Sequence, residues 1–423
     1  MKKALLVLVA LLFVVGTLPV FAGGGQEAEK EIVLQWPCIW VAQDSKAPTI
    51  KALVDQFNTD NAGKIKVVIE PNPDYDGYRT KINTMMAAGE VPDLFVFNPD
   101  PTSFSYYEGD LLMDFTKDLK SRAWNKNFVE GTIDSSTKNG RTKSVPFEMG
   151  VTPIWYNTAL FEKAGIKEFP KTFDDFWVAC DKLKAIGVVP TSQMTGGTNA
   201  WTSMLWFSHI LASIGGPEVW SKPLSDPIYV QAAEIMLKLY SDGNTTKDAV
   251  GAGPGDSSAH FLAGETAIFI NGPWYIGAIR DKAPDVHKVT SVTAAPAVAR
   301  GKYGAQIGFL LSNLAAAHTD DPARRAAVLK FMKWMTEPEN VKTISLDAGS
   351  LFSIKTEIGP QDEVDPLQRE FTNALAEAAF VVPWFSSQYK TEVVEELGQA
   401  LGAMVLGRAT PAEFVEMLQA VNK

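Results

Sequence analysis

The stretch Phe261-Leu262-Ala263-Gly264-Glu265-Thr266-Ala267-Ile268-Phe269-Ile270-Asn271-Gly272-Pro273-Trp274 decides the fold. It reads as a helix end, a glycine turn, a short buried strand and then a tryptophan. Gly264 can adopt the positive φ that closes a helix. Ala267 to Ile270 is an unbroken apolar run, the pattern of a strand covered on both faces in a parallel sheet. Asn271-Gly272-Pro273 stops that strand abruptly. Trp274 then stands just past its carboxyl end, where open α/β sheets hold ligands.

Toward the N-terminus, strands and helices alternate. Ile32 to Trp36 predicts a strand, and a loop with Trp40, Gln43, Asp44 and Lys46 follows. Ile50, Leu53, Val54 and Phe57 then recur at helical spacing. Ile65 to Ile69 is a second strand. Tyr75, Tyr78, Ile82 and Met85 mark a second helix closed near Gly89, and Asp93 to Phe97 is a third strand. This order implies a parallel α/β sheet. Further on, Thr172 and Asp175 have capping-box spacing, before a stripe of Phe173, Phe176, Trp177, Cys180 and Leu183. Asp226-Pro227, Asp321-Pro322, Asp365-Pro366 and Thr410-Pro411 each place a capping side chain before a proline at the first helical position. Val289 to Val292 is another strand. The last seventy or so residues are helical, with Pro383-Trp384 in a break.

The chain has 423 residues, room for two or three domains. Its net charge of −10 argues against nucleic acid, which needs a basic surface. Lys2 and Lys3, the apolar run Ala4 to Val15 and the small residues of Val20-Phe21-Ala22 predict a signal peptide over residues 1–22. No cysteine precedes Cys38, so a lipid anchor is not expected at the usual place, and a soluble protein of the periplasm is. Gly23 to Lys30 reads as a disordered polar leader. Cys38 and Cys180 could pair, although Cys180 on an apolar helical stripe reads as a buried thiol.

A catalytic reading finds little. The four histidines are scattered, with no His-Glu-x-x-His pair, and neither a nucleophile elbow nor a phosphate loop is present. Gly251-Ala252-Gly253-Pro254-Gly255 lacks dinucleotide spacing and a following helix pattern, so it reads as a plain loop. No metal and no cofactor is expected.

Several successions are similar to one known family. They are the opening stretch itself, Pro92-Asp93-Leu94, Val145-Pro146-Phe147 to Trp155-Tyr156-Asn157, Ala164-Gly165, and Pro170-Lys171-Thr172-Phe173. Together, from Glu31 to the C-terminus, they resemble the extracellular solute-binding proteins of family 1, the maltose-binding-protein-like receptors of ABC importers. The resemblance implies a type II periplasmic-binding-protein fold, with two interleaved α/β lobes joined by a hinge. Residues 31–147 plus 300–350 would form lobe 1, and 148–299 plus 351–423 lobe 2. It implies a monomer that binds a sugar or oligosaccharide and delivers it to a membrane permease, without catalysis.

By the same resemblance, Trp40, Trp201, Trp274 and Trp384 lie where the lobes face each other. The C–H face of a pyranose packs on flat aromatic rings, and its hydroxyls pair with carboxylates and amides. Gln43, Asp44, Asn98, Asp100, Glu148 and Asn271 stand in these loops, so these ten residues form the expected ligand set. Glu148 falls two residues before the family's usual contact position, and Asp44 could instead cap the helix that follows. Trp36 and Trp334 read as core residues. Few cations stand in these loops, so an anionic ligand is not expected. A cationic solute such as a polyamine, held by carboxylates and aromatics, and a secreted glycosidase with paired carboxylates are the other readings.

Overall fold

The structure, a computed structural model, describes residues 30–42, 44–197 and 199–422. The signal-peptide expectation and Gln43 lie outside them. Eleven strands are described: β1 (Ile32–Cys38), β2 (Ile65–Pro71), β3 (Phe95–Phe97), β4 (Val145–Val151), β5 (Ile154–Asn157), β6 (Val189–Thr191), β7 (Thr266–Ile270), β8 (Thr290–Thr293), β9 (Ala305–Ala315), β10 (Leu351–Phe352) and β11 (Phe380–Val382).

They form three sheets. β1 and β2 pair in parallel, and the amide of Leu94, just before β3, donates to the Gln35 carbonyl. A five-stranded sheet runs β10-β4-β9-β11, with β3 added on β9. A four-stranded sheet runs β6-β7-β5-β8. All five residues of β7 are buried, as its apolar run requires. The sheet around it is mixed rather than parallel: β7 is parallel to β6 and antiparallel to β5. β3 likewise pairs antiparallel with β9.

Two large apolar cores stand on either side. One gathers Leu34, Trp36 and Phe57 with Phe147, Phe331 and Ile344. The other gathers Phe176, Trp206 and Ile268 with Phe385, Leu397 and Leu418. Ala305 and Ile307 at the start of β9 pack with the second core, while Leu314 near its end packs with the first. β9 therefore runs from one half of the molecule into the other, and β4 lies antiparallel beside it.

The four aspartate- or threonine-proline caps all form; Asp321, for example, accepts from the Ala323 amide at 2.9 Å. The Thr172 box is half made. The Thr172 hydroxyl accepts from the Asp175 amide but donates to the Asp175 carboxylate, which leaves the reciprocal backbone bond unmade. In helix Tyr75–Ala88 the inward stripe is Tyr78, Ile82 and Met86. Tyr75 and Met85 were expected on it; the helix is turned so that Tyr75 faces the groove described below. The glycine run is also not a plain loop, because Pro254 opens a helix that continues to Leu262. Proline at that position has the φ a first turn needs and no amide to leave unpaired.

Cys38 and Cys180 are free thiols buried in different cores, so they do not pair. Burial pushes each thiol up to about 12. Among the described residues no helix is long and apolar enough to cross a membrane.

Candidate functional site

A cleft of about 490 Å³ lies between the halves. Loops at strand ends build its walls. From the first half come Trp40, Asp44 and Lys46 after β1, then Tyr75 and Arg79, then Asn98 and Asp100 after β3. From the second come Asn199 and Trp201, Trp274 after β7, and Trp384, Tyr389 and Thr391. Glu148 of β4 and Ser312 of β9 form the floor.

The opening motif explains the placing of Trp274. Its indole folds back over Gly272, where an added Cβ would lie 2.1 Å from the ring. Only glycine permits that approach. Trp201, the first residue of helix Trp201–Gly215, meets Trp274 with ring centres 5.9 Å apart and planes tilted by 51°. Asn271 was expected to touch ligand but does not line the cleft. Its amide oxygen is taken by the Gly272 amide at 2.9 Å and the Trp201 indole N–H at 3.4 Å, so it positions Trp201.

Trp40 and Trp384 line the cleft but are almost wholly buried. Trp40 is wedged between Trp36 and Phe147. The Trp384 Nε1–H is buried with no partner among the described residues, an uncommon state for such a donor. Trp36 and Trp334 belong to the core, and the Trp334 indole donates to the Leu53 carbonyl.

The polar side is dominated by an ion triad. Lys46 Nζ lies 3.4 Å from Asp44 Oδ1 and 3.2 Å from Glu148 Oε1, with Lys46 and Glu148 both almost fully buried. Burial alone would pull the Lys46 ammonium down, but Asp44 and Glu148 outweigh it and hold the group above the ordinary lysine value. Burial raises Glu148; Lys46 opposes this without cancelling it. Asp44 also accepts from the Lys46 amide at 2.8 Å, so it orders the loop it stands in. Asp100 caps the short helix Pro101–Ser105, accepting from the Ser103 amide at 2.7 Å. Burial raises its carboxyl, against the Ser103 hydrogen bonds and the nearby Arg79.

The halves touch across the cleft. The Ser45 hydroxyl donates to the Trp274 carbonyl at 3.3 Å. The Thr102 and Thr391 hydroxyls are 2.6 Å apart, and Arg79 donates to Thr391 Oγ1 at 3.5 Å. Sequence reasoning missed Arg79, Tyr75, Asn199, Ser312, Tyr389 and Thr391, and did not weigh Lys46 as a site residue. For Arg79 a signal was present: it stands four residues after Tyr75, on the same helical face. Among the described residues, no group of three or more histidine, cysteine or acidic side chains could hold a metal ion.

With this geometry in hand, comparison with known proteins is specific. The family model described as bacterial extracellular solute-binding protein matches residues 43–342. A "probable sugar-binding periplasmic protein" of Mesorhizobium japonicum is 33% identical over 210 residues, 48% of this chain and 49% of that one. The match thus spans about half the length of that relative. A "multiple sugar-binding protein" of Streptococcus mutans is 25% identical, with 81% of this chain and 80% of that one covered. Among solved structures, a "chitin oligosaccharide binding protein" superposes with a TM-score of 0.85 at 23% identity, covering 93% of this chain and 98% of that one. The shared fold is the expected two-lobe type II arrangement. The matched model covers well over half of the sequence, and the chain belongs to the bacterial extracellular solute-binding proteins.

Proposed function

We propose that this protein is the extracellular receptor of an ABC importer, binding a sugar or oligosaccharide in the cleft and delivering it to a membrane permease. It acts as a binder, without catalysis or cofactor, as an exported periplasmic monomer. The observation that carries the reading is the convergence of Trp40, Trp201, Trp274 and Trp384, from both halves, on one cleft of about 490 Å³. That size suits a small ligand, and the walls set aromatic rings among many polar side chains. Trp201 and Trp274 are partly exposed and would supply the aromatic contact, and Asp44, Asn98, Asp100 and Glu148 would supply hydroxyl partners. Gln43 is also kept in the proposed set.

The proposed lobes are residues 31–147 plus 300–350 and 148–299 plus 351–423, shifted at the crossings because Ala305 and Ile307 pack in the second core and Phe352 and Ile354 in the first; they close by rotation about β4, β9 and β10. Closure is favourable when the ligand touches both lobes only in the shut form.

A thermal-shift screen against mono- and oligosaccharides tests the reading. A ligand at 100 times its Kd stabilises by about 2.7 kcal/mol. Trp274→Ala is expected to weaken the best sugar at least ~10-fold, about 1.4 kcal/mol; unchanged affinity would remove Trp274 from the site.

A second reading has one observation behind it. The cleft lining holds the carboxylates of Asp44, Asp74, Asp76, Asp100 and Glu148 against the cations Lys46 and Arg79. That excess suits a cationic solute such as a polyamine. Affinity that falls steeply with salt, with no response to any sugar, selects it.

A further inference from the structure

A separate cavity of about 610 Å³ opens behind the connecting strands. On β4, Glu148 lines the cleft and the next residue, Met149, lines this cavity; none of the residues that line one lines the other. Its walls come from opposite halves. Helix Pro338–Ala348 supplies Val341 and Ser345, and its Val341 and Ile344 pack in the first core. Helix Pro366–Ala376 supplies Gln368, Arg369 and Leu375, and its Leu367 and Phe371 pack with Trp155 and Phe269 of the second half. Gln368 Nε2 joins the two helices, donating to the Ser345 carbonyl at 3.0 Å and to the Ser345 hydroxyl oxygen at 2.8 Å.

The lining is aliphatic at its body and cationic at one edge. Met149, Val341, Leu351, Ile354, Val364 and Leu375 form the body. Ile358 extends it to the rim, where 47% of its surface is exposed. An exposed isoleucine that continues an aliphatic cavity leaves water to be displaced by an apolar group. Arg369 is the one charged side chain of the lining, and among the described residues no carboxylate lines it. The cleft is the reverse, with carboxylates in excess. The Arg369 guanidinium is exposed and has no ion pair or hydrogen bond among the described residues. The acids nearest to it on its own helix are engaged elsewhere. Asp365 holds His287 at 3.0 Å, and Glu370 accepts from the Ser291 hydroxyl at 2.6 Å and the Val292 amide at 2.9 Å. Asn373, four residues on and also in the lining, shares the helical face of Arg369.

We propose that this cavity is a second binding site, for a free medium-chain alkanoate. The carboxylate pairs with the two-pronged guanidinium of Arg369 and accepts from the Asn373 amide. The alkyl chain lies along the aliphatic body and rim. The inference goes beyond the cleft reading and holds whatever fills the cleft.

Titration calorimetry on the full chain tests it with hexanoate, octanoate and decanoate, and with octylamine and octanol as the cationic and neutral probes. Each pair of added methylenes is expected to tighten the alkanoate at least about fivefold. Octanoate is expected to bind at least about fivefold more tightly than octylamine. Two variants locate the site, both at exposed positions that leave the cores untouched. Arg369→Gln should weaken octanoate about fivefold and leave octanol within about twofold. Thr372→Trp should fill the cavity and abolish octanoate binding. Absence of binding by every alkanoate overturns the proposal, as does octylamine binding as tightly as octanoate. Octanoate that binds either variant as it binds the unaltered chain sits elsewhere, the cleft included, and overturns it too.

Discussion

Lys46 shows how much a single side chain can carry here. Its ammonium is buried between Asp44 and Glu148, and Glu148 Oε1 has no hydrogen bond beyond that ion pair. Removing one partner of a buried pair strands the other charge, a loss of about 3–5 kcal/mol. Lys46→Met is therefore expected to lower unfolding stability by that amount, and adding Glu148→Gln to recover most of it. Denaturant titration of the single and double variants measures the coupling. His209 gives a pH dependence. Its Nε2–H donates to the Thr152 carbonyl at 2.7 Å, and burial lowers its pKa from 6.5 to about 4. Below pH 6.5 the unfolded chain takes up a proton that the folded chain refuses. Stability from this group is full above pH 6.5 and falls as pH drops toward 4, by up to about 3 kcal/mol. His209→Gln should flatten that part of the stability–pH curve; an unchanged slope would place the effect elsewhere. At this scale the sequence was only half legible. Trp274 could be placed because a strand end and a stop motif bracket it. Glu148 and Lys46 could be named but not paired, because 102 positions separate them and only the fold brings them together.

Among the elements, β9 sets the geometry of the site. Gly308 lies so close to β4 that an added Cβ would stand 2.0 Å from the Gly150 carbonyl oxygen. Backbone cannot retreat there without breaking the pairing of Gly308 with Val151 and of Phe309 with Gly150. Gly308→Ala is expected to destabilise by at least about 2 kcal/mol, as steric strain at a special backbone position does, and a thermal melt against the unaltered protein reads it directly. Most helices and strands were readable, because period and caps are local signals. The proline caps at Asp226, Asp321, Asp365 and Thr410 all landed where the sequence put them. Strand direction was not readable in the same way. β3 looks like the third strand of a parallel run, yet its partner is β9, more than two hundred residues later. The helix at Pro254 was hidden by the glycines around it, which read as a loop until the fold shows what packs over them.

On the scale of the molecule, polar contacts join the halves, among them Ser45 with the Trp274 carbonyl, Thr391 with Thr102 and Arg79, and Arg280 with the Asp347 carbonyl. Each is worth about 1 kcal/mol, the usual net value of a hydrogen bond. A ligand that bridges both walls adds contacts to the shut form alone and shifts the equilibrium toward it. Small-angle scattering should therefore show a smaller radius of gyration with bound sugar than without. Thr391→Val should weaken the sugar about fivefold while leaving unfolding stability nearly unchanged, because it removes a contact of the shut form only. A stability loss as large as the affinity loss would assign Thr391 a folding role instead.

The route of the backbone has a consequence for biosynthesis. β3 emerges from the ribosome early, but β9, the strand it pairs with, follows more than two hundred residues behind. At about 5–20 residues per second, that is a wait on the order of 10–40 s. Through that interval the nascent N-terminal segment has no complete sheet to settle into. Under the proposed export, such wiring gives the chain time to reach a secretion channel before it folds, and a circular permutant that made β9 first would be expected to forfeit it.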